Sequence, residues 1–193
     1  MIKLKILDLW QTKLREDASK LEKNSLLYFN PRFMSLSQPH QLWLSCGNDR
    51  YQLNKACLQA KYLSGRSRTE KLMSHFSKEN SPFCQLHPHT RTVGDLLHEL
   101  VLCPVLAPQR EQLFKFWDNL SAPFPVCSRI LLNAKTTNSA DFLQFLLDCS
   151  AVPQVIDAAS EHGTGIYEIL FKATRTFCYT IHRTKRQILD QWS

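Results

Sequence analysis

Seven Cys and seven His are spread over 193 residues, yet five of them fall between positions 84 and 103: Cys84, His87, His89, His98 and Cys103. Thiolate and imidazole at that density form the donor set of a small structural zinc site. Cys84, His89, His98 and Cys103 supply four ligands in a C-x4-H-x8-H-x4-C arrangement, with His87 as the alternative to His89. Two thiolates balance the charge of a divalent ion, so such a site can be partly buried. The last pair tests the reading, because residues five apart stand about 140° apart on a continuous α-helix and would not face one ion. Pro104 offers the way out. It drives residue 103 from the helical region, so that Cys103 folds back beneath the turn carrying His98.

Around this knuckle, apolar residues recur at steps of three and four rather than in alternation, and only five Gly are present. That pattern predicts a mainly α protein: an irregular helical domain with a small Cys/His zinc knuckle. With 44% apolar residues the chain is long enough to bury a core. Three regions are expected: an N-terminal helix and connector (1–50), basic helices with the knuckle (51–120), and a C-terminal helical part (121–193). Leu7, Trp10, Leu14, Ala18 and Leu21 predict a helix over 3–22. Residues 24–50 read as an ordered connector whose aromatics, Trp43 among them, pack on a neighbour. A helix over 51–64 should turn Leu53, Ala56, Cys57, Ala60 and Leu63 inward and Lys55 and Lys61 outward, with Gly65 as its stop. Another should begin near Ser67, with Leu72, Met73 and Phe76 as its apolar stripe. Thr92 and Asp95 resemble a capping box, and Pro108 suits the first turn of a further helix. Pro123 and Pro125 read as a loop. Asn138 or Ser139 then caps an apolar helix through Phe142 to Cys149, and the last helix should run over about 165–190.

The formal charge is +7, and its placement is uneven. Residues 50–78 hold seven basic side chains and one acid, Glu70; residues 80–170 hold five basic and nine acidic ones; residues 171–193 hold five basic and one acid, Asp190. Two basic segments bracket an acidic middle, which favours polyanionic partners. Lys61, Arg66, Arg68 and Lys71 before the knuckle, and Arg175, Arg183, Lys185 and Arg186 on the last helix, are the candidate phosphate contacts. Tyr62, Phe76 and Tyr179 are candidates for stacking on bases, although core packing is the stronger expectation for Phe76. Cys178 and His182, four apart, form a conceivable nucleophilic pair, but no orienting group accompanies them. The odd number of Cys has no pairing rhythm, the N-terminal segment carries no secretory pattern, and no apolar run is long enough to cross a bilayer. An intracellular location with no membrane partner is expected.

AKYLSGRSRTEKL (60–72), SPFC (81–84) and DLLHELVLCP (95–104), with Arg110 following, resemble the segment after the polymerase domain in non-LTR retrotransposon reverse transcriptases. There a helix with a Gly-Arg/Thr-Glu core leads into a Cys-x-Cys-type pair, then His-x4-Cys-Pro and a downstream Arg. TRTFCYTIHRTKRQIL (174–189) resembles the basic helix that ends many invertebrate members. The resemblance spans residues 25–190 or so. His89 stands where the family has its second Cys, giving two thiolates rather than three. Nothing matches the paired aspartates of the polymerase palm, or an endonuclease domain, so the family's chemistry does not carry over.

The resemblance implies a non-enzymatic module that grips template RNA or target DNA while a reverse transcriptase polymerase domain elsewhere copies it. The expectation is therefore a zinc-containing module that binds RNA or single-stranded DNA. The alternatives are a protein-interaction or scaffold domain with a purely structural zinc site, and a mobile-element remnant with no function of its own.

Overall fold

The computed structural model describes residues 12, 40–64, 67–121, 124–136 and 138–192. Apart from Thr12, the helix expected over 3–22 and the connector up to residue 39 lie outside them, as do Gly65 and Arg66. Among the described residues the fold is mainly α. Its strand-type pairing among those residues is one isolated antiparallel bridge, Phe83 to Val93.

A short helix α1 (Gln41–Leu44) is capped by His40, whose Nδ1 accepts from the Leu42 amide, and leads into α2 (Arg50–Leu63). Asp49 begins α2 by accepting from the amides of Tyr51 and Gln52, which satisfies two of the donors that a helix start leaves orphaned. The inward face of α2 differs from the expected one. Leu53 is 44% exposed and Cys57 is exposed, whereas Lys55 and Gln59 are buried. The reason is polar: the Gln59 amide donates to the carbonyls of Leu146 and Leu147 at 2.6 and 3.1 Å, and Lys55 Nζ donates to Thr176 Oγ1 at 3.1 Å. Carbonyls at a buried helix end need donors, and α2 supplies one.

Helix α3 (Glu70–Phe76) starts at the Thr69 cap, three residues later than the sequence suggests. The knuckle follows, and then α4 (Ala107–Ser121), with Pro108 in its first turn as expected. Two further helices open on proline: α5 (Pro125–Thr136), where the sequence reads as a loop, and α7 (Pro153–His162), which the sequence does not suggest. A proline at the first helical position gives up only an amide that has no partner anyway. Between them lies α6 (Ser139–Leu147), capped by Asn138 as predicted. Gly163, at φ +88°, ends α7. The last helix, α8 (Gly165–Trp192), has 28 residues, and α2, α4, α5, α6 and α7 all pack against it.

The core is aromatic where α4, α6 and α8 meet. Trp117 is 2% exposed, lies 5.0 Å from the Phe177 ring and 6.1 Å from that of Phe142, and donates through Nε1 to the carbonyl of Ala173 at 3.1 Å. Partnering that N–H is what allows an indole to be buried so deeply. Among the described residues no helix is long and apolar enough to cross a membrane.

Candidate metal centre

The knuckle is built from a miniature hairpin and an unusual helical turn. The Cys84 amide donates to the carbonyl of Thr92 at 2.8 Å, and the Gly94 amide to that of Pro82 at 2.9 Å, so residues 82–84 and 92–94 run side by side. Gly94 is required here. A Cβ at that position would fall 2.7 Å from Oε2 of buried Glu70 and 2.9 Å from its Cβ.

Beyond the hairpin the cap is Asp95, not Thr92: Asp95 Oδ1 accepts from the His98 amide at 2.9 Å. The helical turn it starts widens into a π-turn over His98–Leu102. The Cys103 amide reaches back five residues to the His98 carbonyl at 2.7 Å, and Cys103 itself leaves the helical region at φ −59°, ψ 117°. The effect expected of Pro104 is thus present, and the π-turn adds to it, since its wider pitch brings residues five apart almost into register. Arg110 holds the turn from behind, donating through Nη2 to the Cys103 carbonyl at 2.6 Å.

Together these elements bring Cys84, His87, His98 and Cys103 to one point, their donor atoms all within 4.8 Å of one another. Three of the four expected ligands are in place. The fourth is His87, so the preference for His89 is corrected and the spacing becomes C-x2-H-x10-H-x4-C. Pro88 holds His87 out of the helical region, at φ −149°, ψ 68°, with its ring toward the cluster, whereas His89 sits exposed in the 3-10 turn Pro88–Thr90.

The hydrogen bonds around His87 fit a ligand. Thr90 Oγ1 lies 2.6 Å from His87 Nδ1 and donates its own proton to the His87 carbonyl at 3.1 Å. With the Thr90 proton on that carbonyl, a ring proton on Nδ1 would complete the contact and leave the Nε2 lone pair toward the cluster, where Nε2 lies 2.9 Å from His98 Nε2. The two thiols lie within hydrogen-bonding reach of each other. A hydrogen bond from Cys84, with Arg110 nearby, draws the Cys103 thiol down to about 6, while the same bond and burial push the Cys84 thiol up. A tetrahedral ion with bonds of ~2.0–2.3 Å would separate its ligands by about 3.3–3.8 Å. The cluster, with its donor atoms within 4.8 Å of one another, could hold a metal ion.

Against the cluster lies a buried ionic seam. Lys185 Nζ bridges Glu70 Oε2 at 2.9 Å and Glu99 Oε2 at 2.8 Å, and the Tyr62 hydroxyl donates to Glu99 Oε1 at 2.9 Å. Glu70, Glu99 and Lys185 line the same crevice as Cys84, His98 and Cys103. Burial opposes ionisation of Glu99, but His182, Lys185 and Tyr62 outweigh it and hold the carboxyl at about 2. For Lys185, likewise, burial is outweighed by Glu99 and Glu70, and its ammonium is stabilised.

The predicted phosphate contacts divide. Lys61, Arg68, Lys71, Arg183 and Arg186 are exposed. Lys185 and Arg175 are not available to a polyanion. Arg175 is 1% exposed and donates to Ser45 Oγ at 2.6 Å, the Ser45 carbonyl at 3.1 Å and the Leu42 carbonyl at 3.3 Å, closing the end of α1. A signal for both was present: residues 171, 175, 178, 182 and 185 step by four and three along one face of α8, and that face is the inward one. Of the stacking candidates, Tyr62 is 1% exposed, Tyr179 is half-buried against Tyr51, and Phe76 is 77% exposed, the reverse of its expected place in the core. Cys178 is fully buried and bonds the Leu146 carbonyl, and His182 bonds Tyr62.

No protein-family model, curated protein or solved structure matches the chain.

Proposed function

We propose that this protein is a zinc-stapled helical module that binds RNA or single-stranded DNA through its phosphates. The observation that carries the reading is the meeting of Cys84, His87, His98 and Cys103 within 4.8 Å of one another. Two thiols and two imidazoles, with no carboxylate, suit zinc better than calcium or magnesium. Four protein ligands also close the coordination sphere, which is the mark of a structural rather than a catalytic ion.

Support for the partner comes from the cations left exposed around this staple: Lys61, Arg68 and Lys71 from the lead-in, and Arg183 and Arg186 from α8. The resemblance to the segment after a retrotransposon polymerase points the same way, toward positioning a strand for a polymerase domain in trans. A protein-interaction role gains from one observation, that Arg175 and Lys185 are consumed by internal contacts. The experiment that decides is a pair of measurements on purified, untagged protein. Elemental analysis should find about one zinc per chain, and retention on single-stranded RNA or DNA should fall linearly in log–log form with salt, by about −0.7 per neutralised phosphate. Absence of metal removes the staple, and absence of salt-dependent retention transfers the reading to the protein-interaction role.

A further inference from the structure

Phe76 is the most exposed large hydrophobic side chain among the described residues, at 77%. An exposed apolar side chain is ordinary in itself. On its own face of the helix stand Met73 and Leu72, both half-buried, and the charged residues nearest it in sequence are mostly cations. Arg68 precedes α3, Lys71 and His75 stand one turn apart on it, and Lys78 follows it, all exposed. The acid within the helix, Glu70, is turned inward, 6% exposed and held by Lys185, so it does not offset those cations at the surface. Asp95 approaches Lys71 only to 4.0 Å, and Glu79 is the exposed acid beside Lys78.

Phe76 is also held at a fixed place. The Ser77 amide closes on the Met73 carbonyl, the Asn80 amide on that of Ser77, and the Asn80 side chain donates to the Met73 carbonyl at 3.3 Å, so the chain reverses tightly just past the ring. The other end of α3 is tied to the knuckle: the Lys71 amide donates to the Gly94 carbonyl at 3.1 Å, and Glu70 Oε1 accepts from the Gln85 amide at 3.4 Å. An aromatic ring presented on a fixed backbone, with cations on both sides in sequence, combines the two parts of a single-strand platform: a π-face for a base and charge for the phosphates. A protein partner would be expected to meet a patch whose centre is depleted of charge, and a duplex hides the faces of its bases.

We infer that Phe76 is a base-stacking residue, and that Arg68, Lys71 and Lys78 guide the phosphates of a single strand past it. This rests on the nucleic-acid reading above and adds to it where the bases lie.

The test uses the full zinc-loaded chain and labelled single strands of oligo-dT and oligo-U, followed by fluorescence anisotropy over a salt series. Phe76→Ala should weaken binding by about five- to a hundred-fold, the range that a stacked base contributes, with the slope against log salt unchanged because no phosphate contact is lost. Phe76→Trp should restore binding. An oligomer of abasic sugar-phosphate units should bind the wild type and Phe76→Ala alike, since neither has a base to stack. If Phe76→Ala binds oligo-dT and oligo-U within twofold of wild type while the wild type shows its salt slope, the stacking role is overturned and the phosphate-binding reading stands. If the wild type shows no salt-dependent binding to either strand, both fail together.

Discussion

The knuckle and the helical body hold themselves together by different means. Around Trp117 the body buries Phe142, Phe145 and Phe177 to 4% exposure or less, and these rings pack α4, α6 and α8 together. The knuckle, residues 82–103, has Cys84, Leu86, Leu96, Leu100 and Cys103 as its buried apolar members, a single isolated bridge, and a π-turn. Apolar burial contributes in proportion to area, so the knuckle lacks the means to fold unaided. Four convergent donors and an ionic seam stand where the body has rings.

The first way to break that contrast is to remove the metal ion proposed for the knuckle. Structural zinc sites contribute on the order of 10 kcal/mol to the folding of the segments that bind them. Chelation should therefore expose the amides of 82–103 to hydrogen exchange while those of α6 stay protected. His87→Ala should reproduce the effect and His89→Ala should not, measured by metal content and by exchange. Loss in His89→Ala with none in His87→Ala would return the ligand role to His89.

On the body side, Trp117→Ala should cost about 3–5 kcal/mol, the usual range for emptying a large buried aromatic site, and it also removes the indole hydrogen bond to the Ala173 carbonyl. Denaturant unfolding should show the loss whether or not metal is bound. If saturating zinc restored full stability, the two regions would be one cooperative unit and the contrast would dissolve.

The seam between them has a pH signature. Glu99 titrates at about 2, below the ordinary carboxylate value, so it favours the folded state at pH values above that ordinary value. The contribution is complete above about pH 4.5 and is lost as pH falls toward 2, and the shift corresponds to about 3 kcal/mol. Glu99→Gln should lower stability by about that much at pH 7, with the gap between the two proteins closing through that acid window. A gap that does not narrow there would mean that the cost comes from packing rather than from charge.

How much of this was legible in the sequence follows the same division. Spacing alone singled out Cys84, His98 and Cys103, which the fold brings to one point, because a Cys/His cluster of that density is one that chance seldom supplies. It did not separate His87 from His89, since that choice depends on the backbone at Pro88 and the turn after it. Nor did it show the π-turn, which leaves no side-chain signature. In the body, proline is ambiguous by itself: Pro125, beside Pro123, reads as a loop although it opens a helix, as Pro108 and Pro153 also do at the first turn. Charge was legible as a quantity but not as a location. Lys185 and Arg175 counted as basic surface until the inward face of α8 was fixed by Phe171, Cys178 and Ile181.

The smallest effect on stability is expected where the effect on binding should be largest. Arg68 and Lys71 are exposed, Lys71 with a distant Asp95 for company, so replacing both with Gln should change stability by less than about 0.5 kcal/mol. The same pair should flatten the salt dependence of single-strand binding by about 1.4 log units per log unit of salt, two phosphates at about 0.7 each. All sequences should weaken alike, because phosphate contacts position a strand without reading it. Arg183→Gln with Arg186→Gln is the matched comparison on α8, and a similar flattening there would show that one strand spans both basic segments. If only the lead-in pair moves the slope, the strand lies along α3 and the knuckle. A lead-in pair that leaves the slope untouched would separate the basic surface from the staple, and with it the case for nucleic acid.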